Sequence, residues 1–348
     1  MFRRSIRLSD VAADANVSVA LVSRVLNGDP KARATAETKA RIIEVANRLG
    51  YVPNVAAKSL RKSRTGLLGL VVHDLSSPIY LELLRGAREA AAERNYFLVL
   101  GDVDELLSDD EAFNILVNGK RVDGLVVQGG HGEFDRRAVE IARALPTVVV
   151  NAPAGPGEAG ISHVYPDERA ATRLLTEHLL SLGHTRIGLV SGPRGSTTNL
   201  LREAGMRSAL HEVGFELREQ DCVYGEWSAD GGRAGVGELA GRWAGAPDRP
   251  TALIAGNSLI GMGILAGAAE LGIAVPRDIS VAAVHDTWLN EHLVPALTTV
   301  SLPLHEMGVV AVRQLLAGSD EVRDILLENP PVLHPRASTS AEAAAPSA

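Results

Sequence analysis

The chain of 348 residues is long enough for two or three domains, and its 46% hydrophobic and 22% charged residues allow a sizeable folded core. Apolar runs stay below the roughly 18 residues of a membrane span, the first ten residues lack the apolar stretch of a secretory signal, and the single cysteine excludes an internal disulfide. We therefore expect a protein of the reducing cytoplasm. Residues 1–64 carry 13 Lys+Arg against 5 Asp+Glu, a net +8, whereas the remainder is −15, so only this head should attract a polyanion.

Residues 8–27 have the pattern of two short helices joined by a tight polar turn at 14–17. Ser18 is a suitable N-cap for the second helix, Val19–Leu26, in which Leu21, Val22 and Val25 face inward. This layout predicts a DNA-binding helix-turn-helix, with an ordinary helical hairpin as the alternative. The predicted DNA contacts of the second helix are Ser18, Val19, Ala20, Ser23, Arg24 and Asn27.

These contacts differ in what they can recognise. Arg24 carries the forked donor suited to guanine O6 and N7, which is worth ~1–3 kcal/mol of discrimination. Val19 and Ala20 offer apolar contact, for instance to a thymine methyl, and the hydroxyl and amide side chains suit phosphates. We therefore expect a helix with one strong base contact.

A third helix is predicted over Ala36–Leu49, with Thr35 as its N-cap and Gly50 as its C-terminal glycine. Residues 7–53 then form the head. Residues 54–65 are predicted to form a short helix followed by a basic linker, and a helix of this length is marginal in water unless it is packed.

From residue 67 onward, short apolar strands alternate with amphipathic helices, which predicts parallel sheets covered by helices on both faces. The strands are too many for one ordinary open sheet, so two α/β lobes are expected within residues 66–339. The low-complexity segment 340–348 is predicted to be a disordered tail.

The order of motifs over residues 7–339 resembles the lac-repressor/galactose-repressor family of bacterial transcription regulators. The matching segments include the helix-turn-helix, LGYVPN (49–54), AAKSLR (56–61), DLSSP (74–78), EHLLSLGHTRIGLVSGP (177–193) and VPRDISV (275–281). The resemblance implies a small all-α helix-turn-helix head and a core of two doubly wound parallel-sheet lobes like periplasmic sugar-binding proteins. It implies lobe crossings near 163, 293 and 326, hence an N-lobe of 66–163 and 294–325 and a C-lobe of 164–293 and 326–339.

The resemblance also implies a homodimer on double-stranded operator DNA. Leu60 matches a leucine that wedges into the minor groove, where apolar side chains unstack a base step. In the family, residues 54–65 correspond to a hinge helix and linker. The DNA contacts that the resemblance implies in this hinge are Asn54, Ala57, Lys58, Leu60 and Arg61. Arg7 stands where the family usually has a capping threonine, so we expect Ser9 to cap the first helix instead.

The family's effector contacts fall at Asp74, Tyr80, Gln128, Asn151, Arg202, Trp227, Asn257 and His285. Arg202 matches an arginine that grips effector hydroxyls or carboxylates, and Trp227 matches an aromatic wall against a sugar face. Asn151, Ser258 and His285 replace aspartates common in the family, which removes acceptors for sugar hydroxyls. We therefore expect a neutral or anionic effector (sugar, sugar acid or sugar phosphate) over a plain polyol. In the alternative interpretation, His285 only hydrogen-bonds within the hinge of the cleft.

The resemblance to the family favours a repressor. We expect its effector to change the angle between the lobes, so that the 54–61 segments of the dimer no longer pair, and the sequence leaves both an inducer and a co-repressor open. The alternatives are an activator or a purine- or nucleoside-responsive regulator of the same fold, and a solute-binding protein, which would not need the basic head. An enzyme is not expected, because G-x-S-x-G and P-loop strings are absent. The ten histidines show no metal-ligand spacing, and neither a metal nor a cofactor is expected.

Replacing Leu60 by alanine is expected to preserve the fold but to weaken operator binding more than about tenfold, because the shortened side chain cannot enter a base step. A gel-shift titration of the wild type and the variant on the same operator measures this change. Equal affinities would exclude the wedge role.

Overall fold

The structure is a computed structural model that describes residues 6–27, 29–51, 64–103, 121–130, 140–142, 144–155, 160–244, 248–318 and 322–341. It divides into two units, Met1–Thr65 and Gly66–Ala348, which we describe separately. The predicted hinge contacts Asn54, Ala57, Lys58, Leu60 and Arg61, and the tail from 342 onward, lie outside the described residues.

The bounds of the regular elements follow the alternation of the sequence. The helices are α1 (Leu8–Asp14), α2 (Val19–Leu26), α3 (Ala36–Leu49), α4 (Leu81–Glu93), α5 (Glu168–Ser181), α6 (Thr197–Glu212), α7 (Ala229–Trp243), α8 (Ser258–Glu270) and α9 (Leu304–Ala317). The strands are β1 (Leu67–Val72), β2 (Phe97–Asp102), β3 (Leu125–Gln128), β4 (Thr147–Val150), β5 (Ser162–Tyr165), β6 (Ile187–Ser191), β7 (Cys222–Tyr224), β8 (Ala252–Ala255), β9 (Ser280–Val284), β10 (Thr298–Ser301), β11 (Asp324–Leu326) and β12 (Val332–His334). Among the described helices, none is both long and apolar enough to cross a membrane.

The head is a three-helix unit with a small shared core. Its buried residues are Val11, Ala12, Ala15, Val22, Ile42, Val45 and Ala46. The turn between α1 and α2 places Asn16 at φ 50, a left-handed conformation that asparagine adopts more readily than most residues. Asp14 and Arg48 join α1 to α3 through an ion pair at 2.6 Å.

The predicted caps of α2 and α3 are confirmed. The hydroxyl of Ser18 accepts the backbone N–H of Leu21, and that of Thr35 accepts the N–H of Thr38, both at 3.2 Å. Gly50 ends α3 with φ 67, which glycine adopts without steric cost.

The predicted cap at Ser9 is wrong. Helix α1 begins at Leu8, and the backbone N–H of Arg7 donates to the carboxylate of Asp10 at 2.8 Å. This is half of a capping box, and the negative charge in the first turn also favours the helix N-terminus.

The N-lobe is built on a parallel sheet with the order β11-β5-β4-β3-β1-β2. The C-lobe is built on a second sheet with the order β12-β10-β9-β8-β6-β7. This sheet is parallel except at its edge, where β12 runs antiparallel to β10. Strand β5 and the edge strand β11, which are four and three residues long, are not among the strands expected from the sequence.

The chain passes from one sheet to the other three times, but one crossing differs from the prediction. Strand β10 belongs to the C-lobe, where it pairs in parallel with β9, so the boundary placed near 293 is wrong. Residues 285–297 form a connection long enough to bring the chain back beside β9 in the same direction. The return to the N-lobe follows Ser301, and α9 then packs on α4.

Two further expectations fail at the periphery. The predicted tail begins too early, because the N–H of Ser340 donates to the hydroxyl of Ser280 at 3.1 Å and its carbonyl lies 3.0 Å from Nε2 of His184. Strand β2 is not covered on both faces, because Phe97 and Val99 on one face are 77% and 40% exposed.

Helices α4 and α9 approach each other through glycines. A Cβ on Gly86 would overlap the backbone carbonyl of His305, and a Cβ on Gly308 would overlap that of Leu83. The contact therefore brings backbone against backbone and leaves no room for a larger residue.

We expect Gly86→Ala to destabilise the core by about 1–3 kcal/mol through overpacking, despite the better helix propensity of alanine. Gly237→Ala is the matched control, because Gly237 also lies in a helix but meets nothing within 4 Å, and it should stabilise by up to about 1 kcal/mol. Urea denaturation followed by tryptophan fluorescence measures both, since all three tryptophans lie in the second unit. Equal stabilities of the two variants would contradict the close contact.

Candidate functional site

The main candidate site is a cavity between the N-lobe and the C-lobe, at the carboxyl ends of their strands. Strand order reverses between β1 and β3 in one sheet and between β6 and β8 in the other, and ligands of open α/β sheets bind at such points. The structure brings all eight predicted effector residues together, and their contact with a ligand remains a prediction. They are Asp74, Tyr80, Gln128, Asn151, Arg202, Trp227, Asn257 and His285.

The cavity volume is about 60 Å³. Ligand pockets usually measure about 300–1,000 Å³, so the lobes stand too close for a sugar to enter without their separation. A hydrogen bond crosses between them, from Nδ2 of Asn151 in the N-lobe to Oγ1 of Thr198 in the C-lobe at 3.3 Å.

The C-lobe side of the cavity is organised around a buried ion pair. Nε and Nη2 of Arg202 donate to the two carboxylate oxygens of Glu168 at 2.7 and 2.8 Å. The side chains are 2% and 0% exposed. Removing one partner of such a pair costs about 3–5 kcal/mol, because the other charge is left buried and uncompensated.

The remaining contacts of Arg202 join other parts of the cavity wall. Nη1 donates to the carbonyl of Gly256, and Nη2 lies 3.2 Å from Nε2 of His285. The guanidinium carbon also lies 5.4 Å from the ring centroid of Trp227, within the range of a cation–π contact. Four of the five guanidinium N–H groups are therefore used within the protein.

His285 is held in one tautomer by this arrangement. A guanidinium has donors only, so Nε2 must accept and the neutral ring carries its proton on Nδ1. Burial, followed by the charge of Arg202, holds the pKa of His285 well below its usual value. Among the described residues, nothing accepts the buried Nδ1–H.

The N-lobe side contributes a chain of hydrogen bonds. The backbone N–H of His73 donates to Oε1 of Gln128 at 3.1 Å, and Nε2 of Gln128 donates to the hydroxyl of Tyr80 at 2.8 Å. Burial raises the pKa of Tyr80 to about 12 and lowers the pKa of His73 to about 4. Near pH 7, the tyrosine therefore remains an O–H donor and the histidine is neutral.

Trp227 forms one wall of the cavity and is fixed in place. A Cβ on Gly192 would overlap the indole, so the ring packs directly on the backbone. Asn257 donates from Nδ2 to the carbonyl of Trp227 at 3.3 Å and caps helix α8 by accepting the N–H of Ile260 at 2.8 Å. Both ends of the Asn257 amide are thus engaged, which favours a positioning role.

Asp74 lies at the exposed rim. Its Oδ1 accepts the backbone N–H and the hydroxyl of Ser76 at 2.8 and 2.6 Å, which turns the chain after β1. Among the described residues, no group of histidine, cysteine and acidic side chains could hold a metal ion.

Sequence reasoning missed Glu168 and Thr198. Thr198 precedes Arg202 by four residues on α6, so helical spacing could have placed both on the same face. Glu168 had no such signal, because an acidic residue in a first helical turn is common and its partner lies 34 residues away.

In the head, the predicted base-reading positions of α2 are open to solvent. Val19 is 46% exposed, and Ala20 and Arg24 are also exposed. The side-chain amide of Asn27 donates to the carbonyl of Ser23 at 2.6 Å, and Ser23 itself is half-buried. That these residues contact DNA, with Arg24 as the strongest donor, stays a prediction.

Family comparisons agree with both parts of the chain. Residues 7–54 match the model described as bacterial regulatory proteins, lacI family, and residues 176–339 match the periplasmic binding protein-like domain. Catabolite control protein A of Priestia megaterium is 32% identical over 314 residues, covering 89% of this chain and 92% of that protein.

Solved structures show the same likeness. The lac repressor dimer bound to operator and the anti-inducer ONPF has a TM-score of 0.80 at 26% identity, covering 97% of this chain and all of that chain. The complex of the transcriptional regulator CelR with cellobiose has a TM-score of 0.68 at 29% identity, covering 96% and 99%. The family resemblance and the fold class are thus confirmed: the chain belongs to the lacI family of bacterial regulatory proteins and is a DNA-binding transcriptional regulator.

Proposed function

We propose that this regulator is a repressor that binds its operator as a homodimer and is controlled by a small carbohydrate-type effector in the cavity between its lobes. The observation that carries the proposal is the convergence of the eight predicted effector residues on that single cavity. The structural neighbour CelR is in complex with cellobiose, which supports a carbohydrate ligand here.

The chemistry of the cavity suits a carbohydrate. The face of Trp227 offers the apolar surface on which a sugar ring packs, and the hydrogen-bonding groups of Tyr80, Gln128 and His285 surround it. Few charged groups line the cavity, and the mixture of one aromatic wall with several polar side chains is typical of small-ligand sites.

Control follows from the small size of the cavity. An effector shifts an equilibrium only as far as it binds one arrangement better than the other. Since the cavity of about 60 Å³ has no room for a sugar, a bound sugar would favour a wider separation of the lobes and loss of the Asn151–Thr198 hydrogen bond. That change of interlobe angle is the step that would reach the DNA-binding end.

Two assays of the full chain test this proposal. Selection from random duplex DNA should yield a two-fold symmetric site, because an isologous dimer presents two heads. A thermal-shift panel of sugars, sugar acids, sugar phosphates and nucleosides should yield a compound that also lowers affinity for that site. An asymmetric site would contradict the dimer, and a hit only among nucleosides would overturn the carbohydrate assignment in favour of a nucleoside-responsive regulator.

Deletion of the gene distinguishes a repressor from an activator. A reporter driven by the selected operator should become more active in the deletion strain. A fall in reporter output would show an activator instead.

The exposed apolar face of β2 supports the dimer, since Phe97 and Val99 lie on the same face of this strand, which is at the edge of the sheet among the described residues. We expect Val99→Lys to shift the protein toward monomers and to weaken operator binding, because the lysine charge would be buried between subunits. Val213→Lys is the control, since Val213 is 54% exposed but lies in the other lobe. Analytical ultracentrifugation measures both, and a fully dimeric Val99→Lys protein would exclude this face.

A further inference from the structure

We propose that Glu168 determines the charge class of the effector: by neutralising Arg202, it restricts the cavity to uncharged molecules that offer a hydrogen-bond acceptor to His285. This inference rests on the proposed function and names the ligand class of the same site. It narrows the expectation of a neutral or anionic effector to the neutral class, because that expectation considered three absent aspartates but not the glutamate that pairs with the arginine.

The first step is the charge of the cavity wall. Arg202 is the sole cation among the described lining residues, and both oxygens of Glu168 are bound to it. The pair is sealed from water, so the arginine presents little net charge to the cavity. Asp74 at the rim is the other charged lining residue and is negative.

The second step is the supply of donors. Arg202 uses two N–H groups on Glu168, one on the carbonyl of Gly256 and one on His285, so a single Nη1–H is left. One donor is too few for the bidentate hydrogen bonding that a carboxylate or phosphate prefers. An anion would therefore find only one free N–H on the guanidinium and would be repelled by the negative charge of Asp74.

The third step is what the wall does offer. His285 lines the cavity, and its Nδ1–H is buried without an acceptor in the described part of the chain. An unmet buried donor is unfavourable, so a molecule that brings a hydroxyl, ring or carbonyl oxygen to Nδ1 gains from satisfying it. Glu168 is not hydrogen-bonded to His285; it fixes Arg202, which in turn orients the His285 ring, so Glu168 is a positioning residue.

The first test compares matched neutral and anionic ligands on the full-length wild type by calorimetry. The pairs are glucose and glucuronate, galactose and galacturonate, cellobiose and cellobionate, and ribose and ribose 5-phosphate. In any pair that binds, we expect the neutral member to have a dissociation constant at least about tenfold lower. A pair in which the anion binds more tightly overturns the proposal while leaving the effector-controlled regulator intact.

The second test does not depend on finding the effector. Formate and formamide have nearly the same shape but differ in charge, and both are small enough for the cavity. In Glu168→Gln, where the arginine loses its counter-charge, we expect formate to bind at least about tenfold more tightly than formamide at constant ionic strength. The wild type should show no such preference.

Two variants serve as controls. Glu168→Gln/Arg202→Gln loses the same carboxylate together with the cation and should not prefer formate. Glu177→Gln removes an exposed carboxylate of the same helix that pairs with Arg173, and should behave as the wild type. A formate preference in the wild type, or its absence in a folded Glu168→Gln protein, overturns the proposal.

A third measurement tests the protonation of His285 directly. Nitrogen-15 NMR of histidine-labelled full-length protein at pH 7 should show one neutral histidine protonated on Nδ1, and His285→Gln should remove its signal. A charged ring or an Nε2–H tautomer at that signal contradicts the donor. If no sugar of either charge binds, the carbohydrate proposal fails, while the formate comparison still decides the role of Glu168 and the NMR result still decides the tautomer of His285.

Discussion

The ion pair between Glu168 and Arg202 is the constraint on which the C-lobe half of the cleft depends. Both charges are sealed from water, and such a pair is tolerable only if its geometry is good and its remaining donors are satisfied. The carbonyl of Gly256 and the ring of His285 meet those requirements. One interaction thereby connects α5 and α6 to the ends of β8 and β9 and sets the position of the C-lobe wall of the cavity.

The N-lobe half is organised differently, by neutral hydrogen bonds among Gln128, Tyr80 and the backbone of His73. The direct side-chain bond between the halves, from Asn151 to Thr198, is a neutral one at 3.3 Å, and such bonds contribute only about 1 kcal/mol. A C-lobe wall held by a buried ion pair, joined to the N-lobe wall by one neutral side-chain hydrogen bond, suits a cavity whose width responds to a small ligand. The separation of roles agrees with control of DNA binding by population shift.

Helix ends in the head were predictable from the sequence because they depend on neighbouring residues. The caps at Ser18 and Thr35 and the glycine at Gly50 are confirmed, because each depends on a few neighbouring residues. The expected cap at Ser9 is wrong, because the carboxylate of Asp10 accepts the backbone N–H of Arg7 and stabilises the start of the helix instead. The expected place of strand β10 in the N-lobe is wrong, because the residues of a short strand do not indicate which sheet it joins, and its parallel pairing with β9 places it in the C-lobe.

The sequence by itself determined the three-helix head and the alternation of strands and helices that produces two α/β lobes, because both depend on local patterns. The eight residues that meet between the lobes followed from the resemblance to the family, whose motifs occur in the same order along this chain. Only the tertiary structure decided the electrical character of that junction. From the sequence, Arg202 is expected to present an unpaired positive charge. In the structure that charge is paired with Glu168, which lies 34 residues away on another helix. Charge in a buried site is a property of which groups are brought within hydrogen-bond distance, and packing alone sets that distance.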